Sequence, residues 1–175
     1  MRKIIAGIMW AAVAVLVVFN IALLWGTRLP RAHTTTRTMV LRQPAQKIWD
    51  AISDVQHETA WRTDVKSVER LPDQQGMQVW RENYKANGSE TMVTEQAIPP
   101  VYLVRTIADE RSPVQGSWEF ALNPVANGTS VQITERGSIN NPFWRFMSAK
   151  VFRNSYIDDY LKMLAAKFGE KAKIS

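Results

Sequence analysis

Two glutamates stand in strand patterns whose other residues on the same face are largely apolar. Glu95 falls in the pattern of residues 90–98, and Glu135 falls in that of residues 130–139. Alternate residues of a strand point to the same side of a sheet, so both carboxyl groups are expected to continue an apolar face. Turned inward, they could hydrogen-bond a ligand or pair with Arg81, and a desolvated carboxyl has the raised pKa that suits proton transfer. The alternative is that each glutamate lies at a strand end and reaches solvent.

Other residue types that support catalysis or metal binding are sparse. The two histidines, His33 and His57, are isolated and lack clustered acidic residues, which argues against a metal site. The chain has no cysteine, so disulfides, thiolate metal ligands and thiol nucleophiles are excluded. It also lacks a glycine-rich phosphate loop and a Gly-x-Ser-x-Gly nucleophile turn. We therefore expect no metal and no cofactor, and Glu95 and Glu135 remain only candidates for catalysis.

Turn residues divide the middle of the chain into regular elements. A strand pattern at Thr35–Leu41 precedes two short helices between Pro44 and Trp61, and Val65–Leu71 is again extended. Five more strand patterns follow, at Met77–Tyr84, Glu90–Ile98, Val101–Ile107, Gly116–Leu122 and Ser130–Ile139. Successive strands joined by short turns predict an antiparallel meander, with a final helix packed on one face.

A long helical pattern closes the chain. Asn141 is a good N-cap, Pro142 suits the first helical position, and Gly169 is a typical stop. We predict one helix from Asn141 to Phe168, about 40 Å long at 1.5 Å per residue. Its apolar stripe consists of Ile157, Leu161, Leu164, Ala165 and Phe168. Three polar residues interrupt this stripe and form either the polar end of a pocket or a solvated helix end: Lys150, Arg153 and Asn154.

The N-terminus has the pattern of a membrane anchor. Residues 4–25 carry no charge, and as a helix of about 33 Å they would cross a hydrocarbon core of about 30 Å. Trp25 stands where an interfacial aromatic residue belongs. A cleaved signal peptide and a buried helix of a soluble protein are the alternatives; signal cores are shorter, about 7–15 residues. We predict a single-pass membrane protein.

Charge distribution bears on partners and on orientation. The net charge is +6, but four of the 22 basic residues and none of the 16 acidic residues lie within residues 1–33. The remainder carries only +2, which does not indicate nucleic-acid binding. Arg2, Lys3 and the N-terminal amine slightly outweigh Arg28 and Arg31, which leans toward a domain on the extracytoplasmic side.

Five local strings, in this order, resemble the START/polyketide-cyclase superfamily (SRPBCC). They are Pro44–Asp54, Trp61 followed by Val65–Val68, Trp118–Phe120, Gly128–Glu135, and Asn141–Pro142. The resemblance implies an α+β helix-grip fold, in which a curved antiparallel sheet of about seven strands surrounds a long C-terminal helix. Two short helices follow strand 1, and here an N-terminal transmembrane helix is added. We expect an anchor at residues 1–27, a tether at 28–33, the START-like domain at 34–170 and a tail at 171–175.

The resemblance also implies a class of ligand. Members of this superfamily bind lipids, sterols, polyketides or quinones in a cavity between sheet and helix; some catalyse cyclisation or dehydration, and others act as co-chaperones. We therefore expect a membrane-tethered protein that binds a hydrophobic small molecule or lipid. The alternatives are a cyclase or dehydratase that uses a cavity carboxylate, and a closed-cavity interaction or stress module. Nine residues are candidates for lining the cavity, with ordinary core packing as the alternative for the aromatic ones: Trp80, Arg81, Tyr102, Trp118, Phe120, Glu135, Phe146, Ile157 and Leu161.

Overall fold

The computed structural model describes residues 2–86, 88–109, 112, 114–150 and 155–175. Within these residues the chain forms four α-helices, one 3₁₀ helix and seven strands. In chain order they are α1 (Arg2–Arg28), β1 (Ala32–Leu41), α2 (Ala45–Ser53), the 3₁₀ helix (Val55–Ala60), β2 (Val65–Gln74), β3 (Met77–Tyr84), β4 (Ser89–Ile98), β5 (Tyr102–Ile107), β6 (Val114–Val125), β7 (Gly128–Ile139), α3 (Pro142–Lys150) and α4 (Ser155–Lys167). The predicted α+β class and the helix-grip arrangement are confirmed.

All seven strands belong to one curved antiparallel sheet. Its order is β1-β7-β6-β5-β4-β3-β2, so β2 to β7 form the predicted meander and β1 closes onto its end. The outer edge of β1 is paired in turn with the end of the chain, because Thr38 and Ser175 exchange backbone hydrogen bonds of 2.9 and 3.0 Å. An edge strand that is covered in this way offers less unpaired backbone to other chains.

The hydrophobic core lies between α2, α4 and one side of the sheet, which we call the inner face. Pro44 precedes α2, whose Ile48 and Ile52 are on one side of the helix and fully buried. Leu161 of α4 packs in the same cluster, which also includes Phe120 of the inner face. Fully burying a side chain of this size contributes about 1.5–3 kcal/mol relative to leaving it exposed. The short amphipathic helix and α4 are therefore held by the sheet rather than by intrinsic propensity alone.

The predicted C-terminal helix appears as two helices with different neighbours. Asn141 caps α3 as expected, its Oδ1 accepting hydrogen bonds from the amides of Phe143 (2.9 Å) and Trp144 (3.3 Å). Between α3 and α4 lie residues 151–154, which are outside the described residues and include Arg153 and Asn154. α4 packs into the core, whereas α3 packs against α1. The role of a cover for the sheet therefore belongs to α4 and not to the whole predicted helix.

One long helix precedes this domain. Residues Lys3–Arg28 of α1 are long and apolar enough to cross a membrane, and the most apolar stretch is not buried against the rest of the chain. Because α1 continues to Arg28 and β1 begins at Ala32, only three residues connect them. Half of the predicted tether at residues 28–33 is therefore in regular structure, since Arg28 ends α1 and Ala32 and His33 begin β1.

A glycine at the start of β7 allows β1 and β7 to approach closely. Gly128 has φ of 138°, and a Cβ there would overlap the backbone carbonyl of Leu41. Gly76 also has a positive φ, 81°, but open space around its Cα. We expect Gly128→Ala to lower the free energy of unfolding by about 1–3 kcal/mol more than Gly76→Ala, because only the former adds an overlap to the backbone strain. Urea unfolding in detergent micelles measures both; equal losses would contradict the close approach.

Candidate functional site

A series of buried ion pairs crosses the inner face from the 3₁₀ helix to β3 and β5. Glu58 is fully buried, and its two carboxylate oxygens accept hydrogen bonds from Arg105 Nη1 and Arg62 Nη1, both at 2.9 Å. Arg62 Nη1 also lies 2.7 Å from Glu82 Oε2, and Arg105 Nη2 donates to the Ile52 carbonyl at 2.6 Å. Charges this deep in a protein persist only when they are paired, and these carboxylates are paired with guanidinium groups.

The ion-pair series continues to a tyrosine and a further glutamate. The Tyr84 hydroxyl lies 3.1 Å from Glu82 Oε2 and 3.5 Å from Glu90 Oε2. Burial raises the pKa of Glu90, and the carboxylates of Glu82 and Glu135 raise it further. Burial and the carboxylates of Glu82 and Glu90 also raise the pKa of Tyr84, so its hydroxyl keeps its proton. Glu90 is thus a carboxyl that retains a proton at higher pH than an exposed glutamate does.

A buried hydroxyl stands unpartnered beside these charges. Among the described residues, Tyr160 OH and Arg105 Nε are buried polar atoms without a hydrogen-bond partner. The Tyr160 ring is packed against Trp61, Trp118 and Phe120, with centroid distances of 5.3, 5.7 and 5.6 Å. Leaving a buried polar group unpaired costs about 1–3 kcal/mol. An oxygen atom from a bound molecule or from water would relieve that cost.

The inner face is filled at one end and open at the other. Under α2 and α4, Leu122, Val131 and Ile133 are buried. At the other end, where β1 begins and β7 ends, five inner-face residues are only half-buried: Glu90, Met92, Ile107, Trp118 and Glu135. Cross-strand pairs place them on one face, Met92 opposite Ile107 and Trp118 opposite Glu135. We call these five residues the open half of the inner face.

Two glycines extend the open half toward the end of the sheet that adjoins α1. Gly116 and Gly137 are opposite each other on β6 and β7, in line with Trp118 and Glu135. The His33 ring lies over Gly137, where a Cβ would meet it. A concavity of about 370 Å³ at this end of the sheet is lined mainly by residues that alternate with the inner-face ones: Ala32, Thr34, Gln115, Arg136 and Ser138. A second concavity, of about 420 Å³, is lined by Ala60, Trp61, Met163, Ala166 and Lys167 on the other side of the 3₁₀ helix.

The two glutamates singled out from the sequence differ in position. Glu135 lies in the open half, where its Oε1 is 3.2 Å from Nε2 of His33 and its side chain is 23% exposed. Glu95 is exposed to solvent, which is the alternative that the sequence left open for it. The pairs Met92–Ile107 and Thr94–Arg105 place the even-numbered residues of this part of β4 on the inner face, so Glu95 is not one of the inward positions, and the register shift between Thr94 and Gln96 leaves it without a cross-strand partner.

Two predicted cavity residues lie on the opposite side of the sheet. Arg81 pairs with exposed Glu69, 3.2 Å away, because the inner positions of β3 are Trp80 and Glu82. Tyr102 contacts Glu119 at 3.4 Å, since Leu103 is the residue that faces the core. Both assignments to the cavity were wrong for the same reason: these residues alternate with inner-face residues along their strands.

The other predicted cavity residues divide between core and periphery. Phe120, Ile157 and Leu161 are buried in the filled end, so ordinary core packing describes them. Trp80 is half-buried next to Arg70, whose guanidinium carbon lies 5.0 Å from the indole ring centre. Phe146 is half-buried on α3. Lys150, a candidate for the polar end of a pocket, instead lies with its Nζ 5.8 Å from the Trp25 ring of α1.

Sequence reasoning missed the ion pairs and the Tyr84–Glu90 pair. The available signal was Arg105, a charge between Leu103 and Ile107 on an otherwise apolar face. Its partner Glu58 is 47 residues away in sequence, in a segment interpreted as a break between helices. No local pattern connects the two, so only the fold brings them together.

The pKa of Glu90 gives the first pH-dependent prediction. The folded chain holds the Glu90 proton more tightly than the unfolded chain, because the pKa of Glu90 is raised on folding. The protonated carboxyl therefore stabilises the fold fully below the ordinary pKa of about 4.5, and this stabilisation is lost as the pH rises through the pKa of the folded chain. Glu90→Gln should therefore gain stability relative to wild type as pH increases from 4 toward 8. Glu95→Gln, an exposed neighbour on β4, should show no such trend in urea unfolding; a parallel trend would contradict the assignment.

Comparison with known proteins identifies the family. The sequence model of the family described as polyketide cyclase/dehydrase and lipid transport matches residues 32–169. No curated protein sequence gave a match. The chain is similar in structure to the Zhui aromatase/cyclase from Streptomyces sp. R1128, with a TM-score of 0.62 and 19% identity over 78% of this chain and 93% of that chain. It is also similar to a START superfamily protein from Mycobacterium smegmatis, with a TM-score of 0.61 and 13% identity over 77% of this chain and 96% of that one.

At such identities the structural likeness shows the fold alone. The family match, by contrast, covers nearly the whole chain after α1. Together they describe a START-like ligand-binding domain preceded by a long apolar helix. The chain belongs to the polyketide cyclase/dehydrase and lipid transport family.

Proposed function

We propose that this protein is a membrane-anchored binding protein that holds a hydrophobic small molecule or lipid against the open half of the inner face. The observation that carries the proposal is the unpartnered Tyr160 hydroxyl, which is buried where Trp118 marks the border of the open half. An apolar ligand that covers Met92 and Ile107 would gain burial, and its polar group would satisfy a buried atom.

The charges of the open half restrict the polar group of the ligand. Glu90 and Glu135 place two carboxyl groups in the open half, while the neighbouring Arg62 is already bound to Glu58 and Glu82, and Arg105 to Glu58, so the open half does not attract a phosphate or a fatty-acid anion. The raised pKa of Glu90 favours a protonated carboxyl, which can donate a hydrogen bond to a neutral oxygen. We therefore favour an uncharged ligand with a carbonyl, ester or hydroxyl oxygen, such as a neutral lipid or a quinone.

Membrane anchoring by residues 4–25 is part of the same proposal. It is supported by the length and apolarity of α1, and by the three-residue connection that keeps the START-like domain at 34–170 beside it. Such a tether keeps the binding surface close to a source of hydrophobic ligand. The extracytoplasmic orientation stays a prediction based on the flanking charges.

Extraction of the full chain in a mild detergent, followed by native mass spectrometry and analysis of the organic extract, tests the binding proposal. We expect a neutral hydrophobic compound to leave the protein only on denaturation. Absence of any such compound, together with no binding across a panel of neutral lipids and quinones, would contradict the proposal.

A second function, cyclisation or dehydration, is favoured by the hydrogen-bonded pair Tyr84 and Glu90. A partly buried carboxyl that holds its proton to a higher pH than an exposed glutamate, beside a tyrosine hydroxyl, has the properties of a general acid. Glu135, held 3.2 Å from His33, is the other candidate for proton transfer. If this function applies, Glu90→Gln or Glu135→Gln retains the bound compound but stops its conversion, and the bound mass differs between wild type and variant.

A further inference from the structure

The exposure pattern of α3 is the reverse of that of a helix in water. Its one buried side chain is Arg145, 8% exposed, whereas Trp144 is 43% exposed. Phe143, Phe146 and Met147 are half-buried. A surface helix in water turns its apolar residues to the protein and leaves arginine outside. The exposed side of α3 therefore suits an apolar or interfacial surrounding.

Arg145 has a specific partner at the end of α1. Its Nη1 donates a hydrogen bond of 3.0 Å to the carbonyl oxygen of Leu29, the residue that follows α1. The last carbonyl groups of a helix lack intrahelical partners, and a cation there is favourable. Arg145 thus fixes α3 to the C-terminal end of α1, and in doing so it leaves Trp144 outside.

The contacts also show which part of α1 lies beside α3. A Cβ at Gly26 would overlap the backbone of Pro142, at the start of α3, and Lys150 at its other end lies over Trp25. Nine residues of helix measure about 13 Å. Pro142, Arg145 and Lys150 thus all contact residues between Trp25 and Leu29, so α3 lies beside the polar end of α1.

Phe143, whose ring lies 5.5 Å from that of Trp144, is next to the apolar part of α1. The Phe143 ring lies 5.3 Å from that of Phe19, which precedes Gly26 by about 10 Å along α1. Arg145 reaches in the other direction, to Leu29. Phe143 is thus directed toward the apolar part of α1, and Arg145 toward its polar end.

We propose that α3 is an interfacial helix that lies in the plane of the bilayer surface, with Phe143 and Trp144 among the upper acyl chains. This inference rests on the proposed anchoring, because α3 follows the bilayer plane only if α1 spans the membrane. Tryptophan favours this depth, and Trp25 is at the same level of α1. The partner of this surface is the lipid bilayer itself, which is continuous with the lipid around α1.

The same arrangement directs the open half toward the membrane. β1 begins three residues after α1, and the Ile139 amide at the end of β7 donates a 2.9 Å hydrogen bond to the Arg31 carbonyl. The open half lies at this end of the sheet, where β5 ends and β4 begins. A lipid could then pass between bilayer and binding surface without crossing water.

Spin labelling tests the position of α3 in the full chain, which has no native cysteine to interfere. Labels at Trp144→Cys and Val125→Cys are matched in exposure, at 43% and 42%, but Val125 lies at the opposite end of the sheet. In nanodiscs of phosphatidylcholine and phosphatidylglycerol, we expect the spin label at position 144 to be less accessible to a water-soluble nickel relaxant, and more accessible to oxygen, than the label at position 125. The label at position 125 should be accessible to nickel and poorly accessible to oxygen. Nickel access at 144 equal to that at 125 would overturn the proposal.

A third label, at Val15→Cys, separates this inference from the anchoring proposal. If α1 spans the membrane, position 15 is shielded from nickel whatever α3 does, so shielding at 15 with free access at 144 overturns only the interfacial helix. Gly26→Leu then provides an independent variant, because its side chain would displace Pro142. We expect it to increase nickel access at 144, whereas Gly7→Leu, with open space around it, should not; no difference between them would contradict the α1–α3 contact.

Discussion

Replacement of Glu58 by alanine is expected to lower the free energy of unfolding by about 3–5 kcal/mol, the usual cost of removing one partner from a buried ion pair. Glu58 is fully buried and binds both Arg105 and Arg62, so its removal leaves two guanidinium groups without their central carboxylate. Water cannot replace the lost carboxylate at Arg105, because this residue is only 5% exposed. Urea unfolding of the full chain in detergent micelles measures the change.

An exposed ion pair provides the matched control for this variant. Glu69 and Arg81 lie 3.2 Å apart on the opposite side of the sheet, with side chains 56% and 41% exposed. Glu69→Ala should change stability by less than about 1 kcal/mol, because water replaces the lost partner. Equal effects of Glu58→Ala and Glu69→Ala would show that the buried ion pairs do not have the environment described above.

The second large effect concerns ligand binding. Ile107→Asp places a carboxylate in the open half beside Glu90, where an apolar ligand would have to bury it. A buried unpaired polar group costs about 1–3 kcal/mol in proteins, which corresponds to a loss of about 5- to 150-fold in affinity. Native mass spectrometry of the extracted variant should show a matching decrease in the bound compound.

The control for Ile107→Asp is Val104→Asp on the same strand. Val104 is also half-buried but points to the other side of the sheet from Ile107, so its substitution should leave ligand binding unchanged. Circular dichroism and urea unfolding verify that both variants are folded. A comparable loss of ligand in both would mean that the effect comes from general destabilisation and not from the open half.

The order of elements could be predicted because its signals are local. Asn141 and Pro142 begin α3 where the capping pattern places them, and turn residues separate the strands of the meander. The apolar stripe of Leu161 and Leu164 also faces the core, as its spacing indicates. Periodicity and capping act over a few residues, so they can be read without knowledge of the fold.

The polar site could not be predicted because its parts are distant or irregular. Glu58 and Arg105 meet only through the fold, and only the pairing of β4 with β5 shows that Met92, and not the alternation that contains Glu95, faces inward. The contact between α3 and α1 joins residues more than a hundred positions apart, such as Leu29 and Arg145. A continuous helical pattern gives no sign that its first half has a different neighbour from its second.

Photo-crosslinking tests the central claim, that the open half holds a hydrophobic ligand, most directly. The full chain is reconstituted in nanodiscs that contain a diazirine-bearing neutral lipid, irradiated, and mapped by peptide mass spectrometry. The account predicts adducts on Met92, Ile107 or Trp118, and their loss in Ile107→Asp but not in Val104→Asp. Adducts confined to α1 and α3, with none on the inner face of the sheet, would contradict it.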